Sequence, residues 1–292
     1  MAGLAGYALA ATFTVSLTSG GPQPGLFTAS LGDTVTFVNH DSATHTVVDK
    51  SIGLQSPALG PGQAWTYVLT TSGRHTYSQG KPGGSGQIDV KRTGTVTLTT
   101  KKRAVPYGSG TVLSGTTSLP GFPVTIEEKG KAGGERWDEL DTVTPDADGS
   151  FTLPIQPDVS AQYRATVFGG ELLSSFINVD VRPLLKLATS RRVAAAGSLV
   201  TFVAHVVPVG AADALELMRF DPKRLHWRRV ARANVSSSGK VIFRWRADYG
   251  TILLRAAAVQ HDLVRGYAAA ASRAVSVKGT GTPPSRHGGK KH

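Results

Sequence analysis

Hydrophobic and polar residues alternate along most of this chain in short runs that glycine and proline interrupt. In DTVTFVN (33–39), every second residue from Val35 belongs to one face, and in QAWTYVL (63–69) the same holds from Trp65 to Leu69. A period of two residues is typical of a half-buried β-strand. No long pattern with helical spacing and capping residues occurs. The pattern therefore predicts an all-β protein made of sandwiches of short antiparallel strands.

An internal repeat organises the second part of the chain. Trp137 and Gly149 in ERWDELDTVTPDADGSFTL have the same spacing as Trp227 and Gly239 in LHWRRVARANVSSSGKVIF, and the period is about 90 residues. A unit of this length can form one small β-sandwich. Because the chain has 292 residues, we predict three tandem sandwiches. The predicted boundaries are 1–10 for a leader, 11–92, 93–183 and 184–278 for the sandwiches, and 279–292 for a disordered basic tail.

The sequence Asp146-x-Asp148-Gly149 matches part of a calcium-binding loop. It lacks the next acceptor and the distal glutamate that complete such a loop. In the second copy of the repeat, SSSG (236–239) stands in place of the acidic residues. We therefore interpret both segments as hairpin turns, since Asp and Gly accept the positive-φ positions that turns require.

The first ten residues, MAGLAGYALA, are apolar and end in small residues, as a signal peptide does before its cleavage site. They lack a basic start and are shorter than a full signal peptide. Two interpretations stay open: a signal-peptide remnant or a disordered leader. No other apolar run approaches the roughly 18 residues that a membrane helix needs. We expect a secreted or cell-envelope protein of bacterial type without a membrane span.

Three segments of the first predicted sandwich match a known pattern in order and spacing. They are LGDTVTFVNHDSATHTVV (31–48), LGPGQAWTYVLTTSGRHTYSQG (59–80) and GQIDV (86–90). Over residues 11–92 the chain resembles the plastocyanin-like cupredoxins, which are blue copper proteins. The resemblance implies a copper ligand at His45. It places the family's cysteine ligand at Gln79 and its second histidine at Pro82.

The residues at these positions argue against copper. A blue copper site needs two imidazoles and a thiolate, and this chain contains no cysteine. His75 points inward by strand parity but lies about 13 Å from Gln79, which suits a core aromatic position. His40 shares the loop of His45, but two imidazoles without a carboxylate form a weak site. We expect no copper cofactor and interpret His45 as a turn histidine whose replacement costs little stability. Copper binding or electron transfer is the alternative function.

The two 90-residue units resemble bacterial immunoglobulin-like repeats of secreted proteins. In such repeats a tryptophan strand and a glycine hairpin recur, so we expect Trp137 and Trp227 to be equivalent core residues between the sheets. Charge separates the two units. Residues 93–183 contain eight basic and eleven acidic residues, whereas residues 184–278 contain 16 basic and five acidic residues. The positive charge of the chain, +12 in total, therefore belongs mainly to its last third.

The arginines of the third predicted sandwich follow the strand period. In VIFRWRAD (241–248), Arg244 and Arg246 alternate with core residues. Because the preceding strand is connected by a short turn, we predict that its arginines join them in one basic patch. The candidate residues for binding polyanions are Arg228, Arg229, Arg232, Arg244 and Arg246. The expected partner is an anionic cell-surface polymer or another envelope protein.

Sequence motifs for other functions are absent. No nucleic-acid motif accompanies the basic residues, so we expect no specific nucleic-acid binding. No nucleophile elbow, zinc-binding helix or phosphate loop occurs, so we expect no enzyme activity. The sequence predicts a non-catalytic binding or structural protein.

Overall fold

The computed structural model describes residues 10–80, 84–130, 134, 136–259, 261, 263–264 and 266–281. In these residues, every regular element of more than three residues is a β-strand, and the all-β prediction is confirmed. The described residues also include the short 3-10 helices Lys50–Ile52 and Phe168–Gly170. Three parts of the predictions lie outside the described residues: the leader up to residue 9, Pro82, and the tail from residue 282.

The first sandwich contains nine strands in two sheets. One sheet has the order β2-β1-β4-β7 and the other β3-β9-β8-β5-β6. Val35, Phe37 and Asn39 of β4 are fully buried, as their alternation predicts. The strands are β1 (Thr12–Thr18), β2 (Gly21–Gln23), β3 (Leu26–Ser30), β4 (Thr34–Asn39), β5 (Val48–Asp49), β6 (Leu54–Gln55), β7 (Ala64–Val68), β8 (Gly73–Ser78) and β9 (Ser85–Lys91).

The second sandwich has a three-stranded sheet, β10-β12-β15, and a larger sheet, β11-β18-β16-β13-β14, in which β17 also pairs with β16. Its core includes Ile126, Tyr163 and Val179, which are fully buried. The strands are β10 (Thr99–Thr100), β11 (Ala104–Pro106), β12 (Thr111–Thr116), β13 (Val124–Gly130), β14 (Asp138–Val143), β15 (Ser150–Ile155), β16 (Ala161–Val167), β17 (Leu172–Leu173) and β18 (Ile177–Arg182).

The third sandwich repeats this arrangement strand for strand. Its small sheet is β19-β21-β24, and its larger sheet is β20-β27-β25-β22-β23, in which β26 pairs with β25. The last strand extends to Thr280, so the predicted start of the tail at Gly279 is wrong: both residues pair within the sheet. The strands are β19 (Leu184–Thr189), β20 (Val193–Ala195), β21 (Leu199–Val207), β22 (Ala214–Asp221), β23 (His226–Asn234), β24 (Lys240–Arg246), β25 (Gly250–Ala258), β26 (Ala270–Ala271) and β27 (Val275–Thr280).

The glycine hairpins of the two repeats have the same geometry. Gly149 and Gly239 both have φ of 73°, which a side chain disfavours. The amide of Gly149 donates to the Asp146 carbonyl at 2.8 Å, and that of Gly239 donates to the Ser236 carbonyl at 2.9 Å. Asp146 therefore takes part in a turn that serine forms equally well in the other repeat.

Each sandwich contacts the next. The hydroxyl of Ser72 donates to the Glu171 carboxylate at 2.7 Å, and Arg92 lies 3.1 Å from the same carboxylate. The second and third sandwiches are joined by backbone hydrogen bonds, one of which runs from the Ala268 amide to the Val181 carbonyl at 2.8 Å. None of the described helices has the length and apolar character of a membrane span.

Candidate functional site

His45 lies inside the first sandwich and not on an exposed turn. Its backbone exchanges hydrogen bonds with Leu59 at 3.0 and 2.8 Å, and the residue is 1% exposed. Its Nδ1 lies 3.1 Å from the Gln79 carbonyl oxygen, and its Nε2 lies 2.9 Å from Asp41 Oδ2. The expectation of a surface turn histidine is therefore wrong, because the ring connects two distant segments in the interior.

The loop that carries His45 is held by Asn39. The buried side-chain amide of Asn39 donates to the carbonyls of Ala43 and Leu59 at 2.7 and 2.8 Å, and its oxygen accepts from the Asp41 amide. Asp41 is thereby directed at the His45 ring. The hydrogen bond from His45 is the main cause that holds the pKa of Asp41 below its usual value.

Gln79 occupies the place that the resemblance gives to a cysteine ligand. Its side chain is fully buried, and its Nε2 donates to the Thr18 carbonyl at 2.6 Å. Its Oε1 is buried and has no hydrogen-bond partner in the described structure. His75 faces the interior, as its parity predicts, and its Nε2 lies 3.1 Å from the Thr71 carbonyl. This end of the sandwich is thus closed by amide and imidazole hydrogen bonds.

These side chains do not fit a blue copper centre. Both ring nitrogens of His45 already face oxygen atoms, and an amide stands where a thiolate is required. Over the described residues, no three His, Cys, Asp or Glu side chains come together in a group that could hold a metal ion. No chemical step is derived through copper for this protein.

The five candidate arginines do not form one patch. Arg228, Arg229 and Arg232 lie on β23, at the edge of the larger sheet, whereas Arg244 and Arg246 lie on β24 of the small sheet. All five are exposed. The predicted adjacency is wrong because the turn between β23 and β24 crosses from one sheet of the sandwich to the other. Strands joined in this way are neighbours in sequence without pairing.

A β-bulge sets the directions of the arginines on β23. The register of β22 against β23 shifts between Leu217 and Met218. Arg229 and Arg232 therefore both project from the outer face of the sheet, and Arg228 projects to the opposite side. Arg229 also forms an ion pair of 3.0 Å with Glu216, whose side chain is buried.

The two repeat tryptophans are equivalent, but they lie on the outer faces of the larger sheets. The Arg164 guanidinium lies 4.3 Å from the ring centroid of Trp137, and that of Arg255 lies 4.3 Å from Trp227. Both tryptophans are partly exposed. The predicted position between the sheets is wrong, because the residues that alternate toward the core on the neighbouring strand are Leu215 and Leu217.

Arg255 was not among the predicted site residues. Its side chain stacks on Trp227, yet its Nε is buried without a hydrogen-bond partner in the described part of the chain. Burial lowers the pKa of its guanidinium. The sequence signal is weak, since only the alignment of YRATV with LRAAAV places Arg255 opposite Arg164.

A groove of about 1140 Å³ opens beside Arg255, between β19 and the strands β25 and β26. Its walls are mostly leucine, valine and alanine, and none of the described lining residues is acidic. The basic residues and the histidine that line it are Arg182, Lys186, Arg255, Arg273 and His205. The positive charge of these side chains can attract an anion to the groove.

Comparisons with solved structures give neighbours of low sequence identity, and the TM-scores of three of them lie below 0.5. No family model and no curated protein matches the chain. A mutant of Salmonella alpha-2-macroglobulin is 13% identical, with a TM-score of 0.28, over 82% of this chain and 19% of that one. The FN1–FN3 domains of chicken CNTN1 are 14% identical, with a TM-score of 0.25, over 81% of this chain and 90% of that one. The I9–I11 tandem of titin is 13% identical, with a TM-score of 0.26, over 91% of this chain and 96% of that one. This chain thus spans less than a fifth of the macroglobulin chain.

Proposed function

We propose that this chain is a non-catalytic binding or structural protein of the cell exterior whose third sandwich binds anionic polymers. The observation that carries the proposal is Arg255. Its Nε is buried without a hydrogen-bond partner among the described residues, and Arg255 lines a groove whose described lining residues include no acidic side chain. An arginine remains charged in proteins, so a guanidinium that lines this groove favours an incoming carboxylate, sulfate or phosphate.

Arg255 belongs to a larger basic surface, which we call the basic belt: Arg229, Arg232, Arg255, Arg273 and Lys186, of which Arg229 is ion-paired with Glu216. Arg229 and Arg255 flank Met218 in one row across three adjacent strands, so their Cα atoms are about 10 Å apart. Lys186 and Arg273 continue the belt along the groove. Of the arginines predicted from sequence, Arg229 and Arg232 belong to this surface. Arg244 and Arg246 lie on the other sheet.

The belt favours a polyanion over specific nucleic-acid recognition. One face of Trp227 is covered by Arg255, which leaves that face unavailable for stacking on a base. A charged, flexible polymer needs only a surface of regularly spaced cations. An anionic polymer of the cell surface is therefore the proposed ligand, and the belt is its proposed binding surface.

Retention on a heparin-type or phosphate matrix across a salt gradient tests this proposal. The full chain should elute well above about 0.15 M salt, where charges more than about 8 Å apart are screened. Arg255→Gln should elute at clearly lower salt than the wild type. Arg244→Gln removes the same charge from an exposed residue on the other sheet and should shift elution less. Elution of the wild type near physiological salt, or equal shifts for both variants, would contradict the proposal.

For the first sandwich we propose a cupredoxin-like fold that serves structure without copper. The resemblance of residues 11–92 supports the fold, and the hydrogen bonds of His45 and Gln79 support the loss of the metal. Titration with one equivalent of Cu(II) tests this. The protein should stay colourless, because no thiolate is available for charge transfer. An intense blue absorption would favour the alternative, a copper-binding or electron-transfer protein.

A further inference from the structure

Two edge strands of opposite charge occupy the same position in the two repeats. β14 ends the larger sheet of the second sandwich, and β23 ends the larger sheet of the third. Both sheet edges carry exposed side chains along most of the strand. Among the described strands, none pairs with the outer row of backbone N–H and C=O groups of β14 or of β23, which makes each a template for pairing with another strand.

The charges of the two strands reverse at matching positions. Asp138 and Glu139 of β14 lie 90 residues before Arg228 and Arg229 of β23. A β-bulge interrupts each edge at the same place: Leu140 is the extra residue of β14 and Val230 that of β23. The two edges therefore share the same backbone irregularity and differ in the sign of their side chains.

Charge decides which edges can meet. Two copies of β14 would bring carboxylates together, and two copies of β23 would bring guanidinium groups together, both of which destabilise a strand pair. Pairing β14 with β23 brings opposite charges together. We propose that β14 of one copy of this chain pairs with β23 of a second copy, so that the two larger sheets become continuous. This inference does not rest on the proposed polymer binding, although Arg229 belongs to both surfaces.

The charges suit pairing on both sides of the strands. Glu139 and Arg229 lie on the outer faces of their sheets, whereas Asp138 and Arg228 project to the other side. A joined sheet therefore places an acidic and a basic residue on each of its faces. The contact is between two different surfaces, so it either closes into a small oligomer or continues into longer assemblies.

Sedimentation velocity of the full chain at increasing protein concentration tests the proposal. At about 0.01 M salt, where the Debye screening length is about 30 Å and charges interact over a long range, we expect concentration-dependent species larger than the monomer. At about 1 M salt, where it falls to about 3 Å, the monomer should predominate. A chain that stays monomeric at low salt and high concentration overturns the proposal, with no variant required.

Charge-reversal variants show whether the edge strands β14 and β23 form the contact between copies. Asp138→Arg makes β14 less acidic, and Arg228→Glu makes β23 less basic, so each variant alone should associate at least about tenfold more weakly than the wild type. The double variant D138R/R228E restores opposite charges at these positions and should recover association. An equimolar mixture of the two single variants should also associate more strongly than either alone.

The matched controls change the same charges away from the edges. Asp158→Arg alters an exposed residue outside the strands of the second sandwich, and Arg244→Glu alters an exposed residue on the small sheet of the third. Both should associate like the wild type, and far-UV circular dichroism checks that every variant is folded. Equal losses in control and edge variants, or a double variant that stays as weak as the single ones, would show that general charge and not edge pairing drives association.

Discussion

The second and third sandwiches share a tryptophan–arginine stack but complete it differently. In the second, the Nε of Arg164 donates to the Glu127 carboxylate at 2.5 Å, and this ion pair is mostly buried. In the third, the residue facing Arg255 across the strands is Met218, and the Nε of Arg255 has no described partner. The same backbone therefore holds an ion-paired arginine in one repeat and, in the other, an arginine whose Nε has no partner among the described residues.

In the cores of the two repeats, a pair of facing residues on neighbouring strands divides its side-chain volume differently. In the second, Phe151 packs opposite Gly115, where an added Cβ would lie only 2.2 Å from the phenyl ring. In the third, Val241 stands opposite Ala204 in the equivalent strands. A large residue facing glycine thus corresponds to a medium residue facing alanine. Facing positions compensate each other, so the sandwich survives while individual residues change.

The largest expected loss of stability comes from truncating the large member of such a facing pair. Phe151→Ala should lower the free energy of unfolding of the second sandwich by about 3–5 kcal/mol, since a buried phenyl ring leaves a cavity that Gly115 cannot fill. Val241→Ala removes less volume and should cost the third sandwich clearly less. Hydrogen exchange resolved by segment measures each sandwich separately. Equal losses at the two positions would contradict the volume exchange.

The tryptophans should show a smaller effect than a core aromatic residue. Trp137→Ala and Trp227→Ala should each cost about 1–2 kcal/mol, because the rings are partly exposed and the cation–π contact contributes about 0.5–1 kcal/mol. Denaturant unfolding, monitored by hydrogen exchange, measures the loss of stability in both variants. A loss of about 3–5 kcal/mol at either position would instead support a ring buried between the sheets.

Strand periodicity predicted the elements correctly but could not assign strands to sheets. Alternation located β4 and β24, and the hairpin glycines gave the repeat. The arginines of β23 and β24 were placed together because adjacent strands commonly pair, whereas here the chain crosses between sheets. The burial of His45 depends on the Gln79 carbonyl, 34 residues away, and the stack of Arg255 on Trp227 is equally non-local. Local patterns carry no information on such contacts.

Replacing the residue opposite the stacked arginine gives one repeat the residue that the other repeat has at this position. Met218→Glu places a carboxylate opposite Arg255, and we expect a gain of at most about 1 kcal/mol, since the pair remains partly exposed. The same variant should elute from heparin at lower salt, because Arg255 is then neutralised. Glu127→Met is the reverse exchange and should cost about 1 kcal/mol. If Met218→Glu left retention unchanged, Arg255 would not be the anion-binding residue.

The smallest effect concerns how each repeat is joined to the sandwich before it. Glu171 connects the second sandwich to Ser72 and Arg92 of the first, whereas the contact of the third with the second includes backbone hydrogen bonds. Burial alone would raise the pKa of Glu171, but the hydrogen bonds from Ser72 and the charge of Arg92 outweigh it and lower the pKa below its ordinary value of 4.5. The charged carboxylate is therefore favoured in the folded protein.

The sign of the pH dependence follows from this lowered pKa. The stabilisation from Glu171 is fully present above about pH 4.5 and is lost as the pH falls through the lower value of the folded state. Since Arg92 is largely exposed, we expect only about 0.2–1 kcal/mol. Hydrogen exchange at the contact should rise on acidification in the wild type. In Glu171→Gln it should be raised at every pH and lose this dependence, while exchange at the Ala268–Val181 contact serves as the internal control. If both contacts loosened equally with acid, a general effect of charge and not Glu171 would be responsible.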